Sequence, residues 1–183
     1  MITISLNQIK AKDPCQDGWE TILAARGKDA DYDEQFPLSF ALDSNGLYDV
    51  LWSLQCLPEH NNLWRKYAVW RSRQVEHFMT DQRSKDALEV AWRHSEGLAT
   101  DAELSAAWLA AWDAYDAQAT AYANPYASPY AYAAYNAAYT ADRVAWAFAW
   151  ASRYAARAAR VSRPARDAQT KKLRQILDAG EWV

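Results

Sequence analysis

Two long stretches of this chain offer the backbone almost no way to leave a helix. From Thr100 to Asn124 there is neither glycine nor proline, and from Ser128 to about Val161 the only proline is Pro129 in the first turn, next to a serine cap. Both stretches are filled with alanine, the strongest helix former. The whole chain of 183 residues has 37 alanines but only 5 glycines and 6 prolines, too few turn residues for a β-sandwich or barrel. The expected architecture is therefore all-α: a single-domain multi-helix bundle over residues 1–183, built around these two long Ala/Tyr/Trp-rich helices.

Periodicity fills in the rest. Thr100-Asp-Ala-Glu103 has capping-box spacing and opens a helix whose seam reads Leu104, Trp108, Trp112, Tyr115, Ala119, Tyr122 and Tyr126. Ala106, Ala110, Asp113, Ala117 and Thr120 form its small or polar opposite face, and Pro125 ends it near Asn124. In the second long helix Tyr132, Tyr135, Tyr139, Val144, Trp146, Phe148 and Trp150 point in nearly all directions, as in a helix packed on every side. Residues 121–139 repeat Ala-Tyr, but no period of solenoid length recurs.

Residues 1–58 read as short helices. A capping box at Ser5-Leu-Asn-Gln8 starts one that runs to about Lys12. Trp19, Ile22 and Leu23 share the face of a second, stopped by Gly27. A short helical turn is expected around Phe36-Pro37-Leu38, and Leu47, Val50, Leu51 and Leu54 give another face ending at Pro58. Residues 60–97 read as a helix pair: His60 to Thr80, with the stripe Leu63, Tyr67, Trp70 and Phe78, then a helix marked by Leu88, Ala91 and Trp92 and closed by Gly97. Residues 101–183 hold the long helices and a last one after Pro164, with Leu173, Ile176 and Leu177 inward and Gly180 as its stop. About nine helical pieces are expected.

Charge is distributed in blocks. Residues 1–60 carry a net charge of -6, 61–100 +2, 101–142 -5 with no base at all, and 143–183 +6. The plain reading is an acidic front half docked on a basic last helix pair. The sharper one turns Arg143, Arg153, Arg157, Arg160, Arg163 and Arg166 toward a phosphate-bearing ligand. With Tyr122, Tyr126 and Tyr130 able to stack on a base, the candidate binding set is Tyr122, Tyr126, Tyr130, Arg143, Arg153 and Arg157, against the alternative that these rings simply fill the core. The negative net charge and the lack of a recognition-helix motif argue against duplex nucleic acid.

No sequence motif for catalysis stands out. Glycine-rich phosphate loops, G-x-S-x-G and metal-ligand spacings are missing, so no catalytic residue, no metal site and no cofactor is expected. His60, His77 and His94 fall on different helices, and Asp113 with Asp116 reads as the wet face of one. Cys15 and Cys56 form no C-x-x-C pair and read as reduced thiols. No apolar run has membrane-spanning length, and Met1-Ile-Thr-Ile-Ser-Leu-Asn lacks the basic region of a secretory signal, so a cytoplasmic location is expected.

Two motifs carry a resemblance. Asp81-Gln-Arg83-Ser-Lys85-Asp-Ala87-Leu88 resembles the D-x-R-P-R-x-A-hydrophobic signature of a family of small all-α immunity proteins from bacterial toxin–immunity loci, with relatives in phage and prophage genomes. Asp13-Pro-Cys15-Gln-Asp-Gly18-Trp19 is similar to a Cys-x-Asp-Gly segment of the phage-borne members, and the alanine-rich helices studded with aromatics follow as in the family. Ser84 replaces the family's proline and Lys85 its arginine; serine can still cap a helix, while lysine loses the bidentate fork. Asp81 and Arg83 are expected to tie an interhelical corner to a neighbouring helix end rather than to touch a ligand. The resemblance implies a non-catalytic binding protein of immunity or phage counter-defence type that neutralises a bacterial toxin or a host defence component. The alternatives are a protein that sequesters a nucleotide-like small molecule in the aromatic and arginine pocket and, ranked third, an enzyme whose polar groups converge in a cleft that the sequence does not reveal. The oligomeric state has no signature in the sequence.

Overall fold

The computed structural model describes residues 1–27, 29–74, 76–121 and 163–183. These residues form two compact units, Met1–Glu59 with Asp167–Val183, and His60–Arg166. Eight α-helices and one two-residue strand pair make up their regular structure, apart from three short 3₁₀ turns, and the all-α expectation holds. No helix among the described residues is long and apolar enough to cross a membrane.

In the first unit Ser5 caps α1 (Leu6–Lys10) with the full capping box: Gln8 N donates to Ser5 Oγ at 3.2 Å and Ser5 N donates to Gln8 Oε1 at 2.8 Å. Helix α2 (Gln16–Arg26) ends at Gly27, whose φ of 94° lies where a side chain would be strained. The helical turn expected around Phe36-Pro37-Leu38 starts only at Leu38, and Phe36–Pro37 form a strand instead. Residues Thr3–Ile4 (β1) pair antiparallel with Phe36–Pro37 (β2), in the register Thr3 to Pro37 and Ile4 to Phe36. The reason is local and steric: the proline ring pushes the preceding Phe36 out of the helical region, and extended backbone then finds β1. Helix α3 (Leu38–Asn45) starts directly after it, and Leu38 N is bound by Ile2 O at 3.0 Å.

Helix α4 (Leu47–Ser53) and two 3₁₀ turns, Leu54–Cys56 and Pro58–His60, follow Gly46. Of the expected inward residues, Val50, Leu51 and Leu54 are wholly buried and Leu47 is half-buried. The C-terminal helix, α8 (Arg163–Ala179), then completes this core from far along the chain. Leu173, Ile176 and Leu177 are wholly buried, Ile2 N donates to Leu177 O at 2.7 Å, and Arg174 forms an ion pair with Asp43. That pair is one instance of the basic last helix meeting an acidic front segment.

The second unit contains α5 (Asn61–Arg73), α6 (Gln82–Ser95) and α7 (Asp101–Ala121), with α6 packed on both neighbours. Its core joins Val69, Met79, Ala87, Leu88, Ala91, Leu104 and Ala111. The expected run from His60 to Thr80 is shorter, because α5 stops at Arg73 and a 3₁₀ turn over Glu76–Phe78 follows. That break shifts the phase: Phe78 is 53% exposed and Met79 is the buried residue. The buried line of α5 is Trp64, Tyr67 and Val69, with Leu63 and Trp70 only half-buried. Arg65, off the expected apolar stripe, is also wholly buried.

The seam of α7 also differs. Leu104, Ala111 and Ala114 lie innermost, Trp108 and Tyr115 flank them half-buried, and Trp112 is 40% exposed. Alanine on the tightest line lets two helix backbones approach closely, and the wide indole rings are displaced to the margins. The helix expected from Ser128 to Val161, and the seam beyond Ala121, lie outside the described residues.

Candidate functional site

Tyr122, Tyr126, Tyr130, Arg143, Arg153 and Arg157, the aromatic and basic candidates, all lie outside the described residues, as does Arg160. The described candidates belong to the second unit, around the two ends of α6.

At the start of α6, Asp81 is the N-cap. Its Oδ1 accepts from Arg83 N at 2.9 Å and from Arg83 Nε at 3.0 Å, while Oδ2 accepts from Arg83 Nη2 at 2.7 Å. One carboxylate thus satisfies an orphan amide of the helix and both sides of a guanidinium fork. The hydrogen bonds from the Arg83 side chain hold the Asp81 carboxyl below its usual pKa, and the same contact, with Asp113 of α7 adding to it, raises that of Arg83. The motif therefore closes on its own helix end. Ser84 does not cap: it sits in the first turn, wholly buried, with its Oγ lacking a partner. Lys85 is half-buried beside it. Asp81→Ala is expected to cost about 1 kcal/mol, the worth of an N-cap, and a lowered urea midpoint would register it. An unchanged midpoint would show that water replaces the carboxylate.

At the other end, the corner between α6 and α7 is tied by polar contacts. His94 Nε2 lies 2.8 Å from Asp101 Oδ1, Arg93 Nη2 donates to Leu98 O at 2.7 Å, and Lys66 Nζ stands 3.3 Å from Glu96. Thr100 and Glu103 form the expected capping box, with Thr100 N donating to Glu103 Oε2 at 2.7 Å and Glu103 N to Thr100 Oγ1 at 3.2 Å. The hydrogen bonds that the Glu103 carboxylate accepts from Thr100 N and, at 2.9 Å, from Thr100 Oγ1 lower its pKa. The histidines do not converge: His60 meets the edge of Trp64 and His77 lies against Phe78. Among the described residues no group of three metal-ligating side chains is gathered.

What the corner holds in place is the outer side of α7. Spacings of three and four residues set Leu109, Trp112, Asp113 and Asp116 side by side, and all four are exposed, Leu109 by 52% and Trp112 by 40%. The Trp112 ring leans on Tyr115 with centroids 5.6 Å apart, which limits its freedom. Helix α7 contributes Asp101, Glu103, Asp113 and Asp116 and not one base. This stripe sets apolar anchors among carboxylates, an arrangement suited to contact with another molecule. Sequence reasoning placed Trp112 in the interior and passed over Leu109. The signal that marks Leu109 is its position off the line joining Leu104, Trp108 and Tyr115.

The thiols differ in surroundings. Cys15 is exposed, whereas Cys56 is buried and burial pushes its pKa up to about 12, against a small opposing pull from Lys12. In the second unit burial likewise raises Tyr67 to about 12 and lowers Arg65 to about 10. No protein family, no curated protein and no solved structure matches this chain.

Proposed function

We propose that this chain is a non-catalytic binding protein of immunity or counter-defence type, acting in a bacterial cytoplasm by covering the surface of a toxin or defence protein. The observation that carries the reading is the exposed stripe of α7, where Leu109 and Trp112 stand among Asp113 and Asp116 on a helix without bases. Large exposed apolar side chains act as anchors, and the carboxylates beside them steer a partner of opposite sign. The target is accordingly a protein with a basic surface. The resemblance carried by Asp81–Leu88 and Asp13–Trp19 supports the same reading. The nucleotide-sequestering alternative depends on residues outside those described, and no observed contact favours it.

Immobilised chain, incubated with lysate of a bacterium carrying the gene, is expected to retain one basic protein in equal stoichiometry. One equivalent should abolish that protein's activity. Trp112→Ala should weaken retention by about 30-fold, the effect of losing one anchor residue. Retention unaffected by Trp112→Ala and by Leu109→Ala together would remove the stripe from the reading. Turnover of any substrate by the chain would remove the reading itself.

A further inference from the structure

The outward face of α7 has a period of its own. Ala102, Ala106, Leu109, Asp113 and Asp116 are all exposed and follow one another at spacings of four, three, four and three residues. That is the 3.5-residue repeat with which one helix lies along another. Trp112 flanks the line, and its contact with Tyr115 gives the line a wall on one side. Over two heptads the line is about 21 Å long, the length of four helical turns.

Its two ends differ. Ala102 and Ala106 are small, so a second backbone can come close there, and Leu109 stands at the centre as the large apolar contact. Asp113 and Asp116 occupy the other end, and neither has a hydrogen bond or ion pair among the described residues. A second copy of α7 does not suit this line, because the pair would gather eight carboxylates, four from each copy, with no base on either helix. We propose that the line seats one α-helix of a partner protein, small or apolar along its contact face and carrying arginine or lysine at the end that meets Asp113 and Asp116. This rests on reading the α7 stripe as an interface, and it adds the element that lies there: a single helix with its charge at one end, in place of a generally basic surface.

The probe is a fluorescein-labelled, lactam-bridged helical peptide of four turns, with alanine and leucine along one face and two arginines at one end of that face. One twin carries glutamates in place of the arginines, and the other a central proline that breaks the helix. Titrated with the intact chain, the parent peptide is expected to gain anisotropy with a Kd on the order of 100 µM, as befits a contact below standard interface size. Both twins should bind at least about tenfold more weakly. Asp113→Asn with Asp116→Asn should weaken the parent about fivefold, the loss of two exposed ion pairs, and Leu109→Asp about tenfold or more. All three positions are exposed, so these variants keep the fold. No binding of the parent, equal binding of the proline twin, or binding unchanged in Leu109→Asp would overturn the proposal. A dimer of the chain that Leu109→Asp disperses in sedimentation would overturn it as well, by making a second copy the occupant. The interface reading fails or stands separately: retention of a natural partner lost in Trp112→Ala, with the parent peptide unbound, keeps the interface and removes the helix.

Discussion

Ile176→Ala is expected to destabilise the first unit by about 2–5 kcal/mol, the cost of removing buried methylenes and leaving a cavity. Ile176 is wholly buried beside Leu173 and Leu177, and its helix is fixed by Ile2 N on Leu177 O and by Arg174 on Asp43. A site so firmly held from two directions cannot collapse around a smaller side chain, which places the effect toward the upper end of that range. Urea unfolding followed by circular dichroism should show a fall in midpoint with an unchanged slope. The exposed neighbour Gln175 provides the control, since alanine there should change stability by no more than about 0.5 kcal/mol. Equal effects at the two positions would mean that α8 does not complete the core as described.

The second large effect is alkaline. Burial raises the Cys56 thiol from 9.0 to about 12 in the folded chain. A group whose folded pKa is raised contributes stability that is fully present below the unfolded pKa and is lost as pH rises through the folded one. The window therefore runs from about pH 9 to about pH 12, and the full difference approaches 4 kcal/mol at about 1.4 kcal/mol per pH unit. In the second unit two groups oppose each other. Tyr67, raised from 10.0 to about 12, loses stability with rising pH, whereas Arg65, lowered from 12.5 to about 10, releases its proton earlier in the folded state and gains it. Among the described residues of the first unit no group opposes Cys56 in this way, so alkaline unfolding is expected to begin there. Cys56→Ala should flatten the decline in urea midpoint between pH 9 and pH 11, and an identical decline in the variant would assign it to another group.

Local signals in the sequence were reliable because their physics is local. The capping boxes at Ser5 and Thr100 and the stops at Gly27, Gly97 and Gly180 depend on residues within one turn. The inward face of α8 followed from Leu173, Ile176 and Leu177 alone. The pairing of Ile4 with Phe36 was not legible, because a partner more than thirty residues away decides it. Nor was the burial of Arg65: helical periodicity assigns charge to the wet side, and only the packed structure shows that the guanidinium lies inside. The exposure of Trp112 has a similar origin, since alanines between α6 and α7 set a spacing too narrow for its ring. Asp81 with Arg83 was legible as a corner element, although the partner is its own helix end.

The first unit is written in two pieces, with the whole of the second lying between them in the sequence. On the ribosome, residues 1–59 emerge early but lack Leu173, Ile176 and Leu177, so their apolar faces stay uncovered while the intervening 107 residues are translated. The second unit has no such debt to later sequence and can condense first. A transcript cut short before α8 yields an N-terminal segment that stays open to proteases and chaperones, which makes assembly of this protein a late, all-or-nothing event in its synthesis.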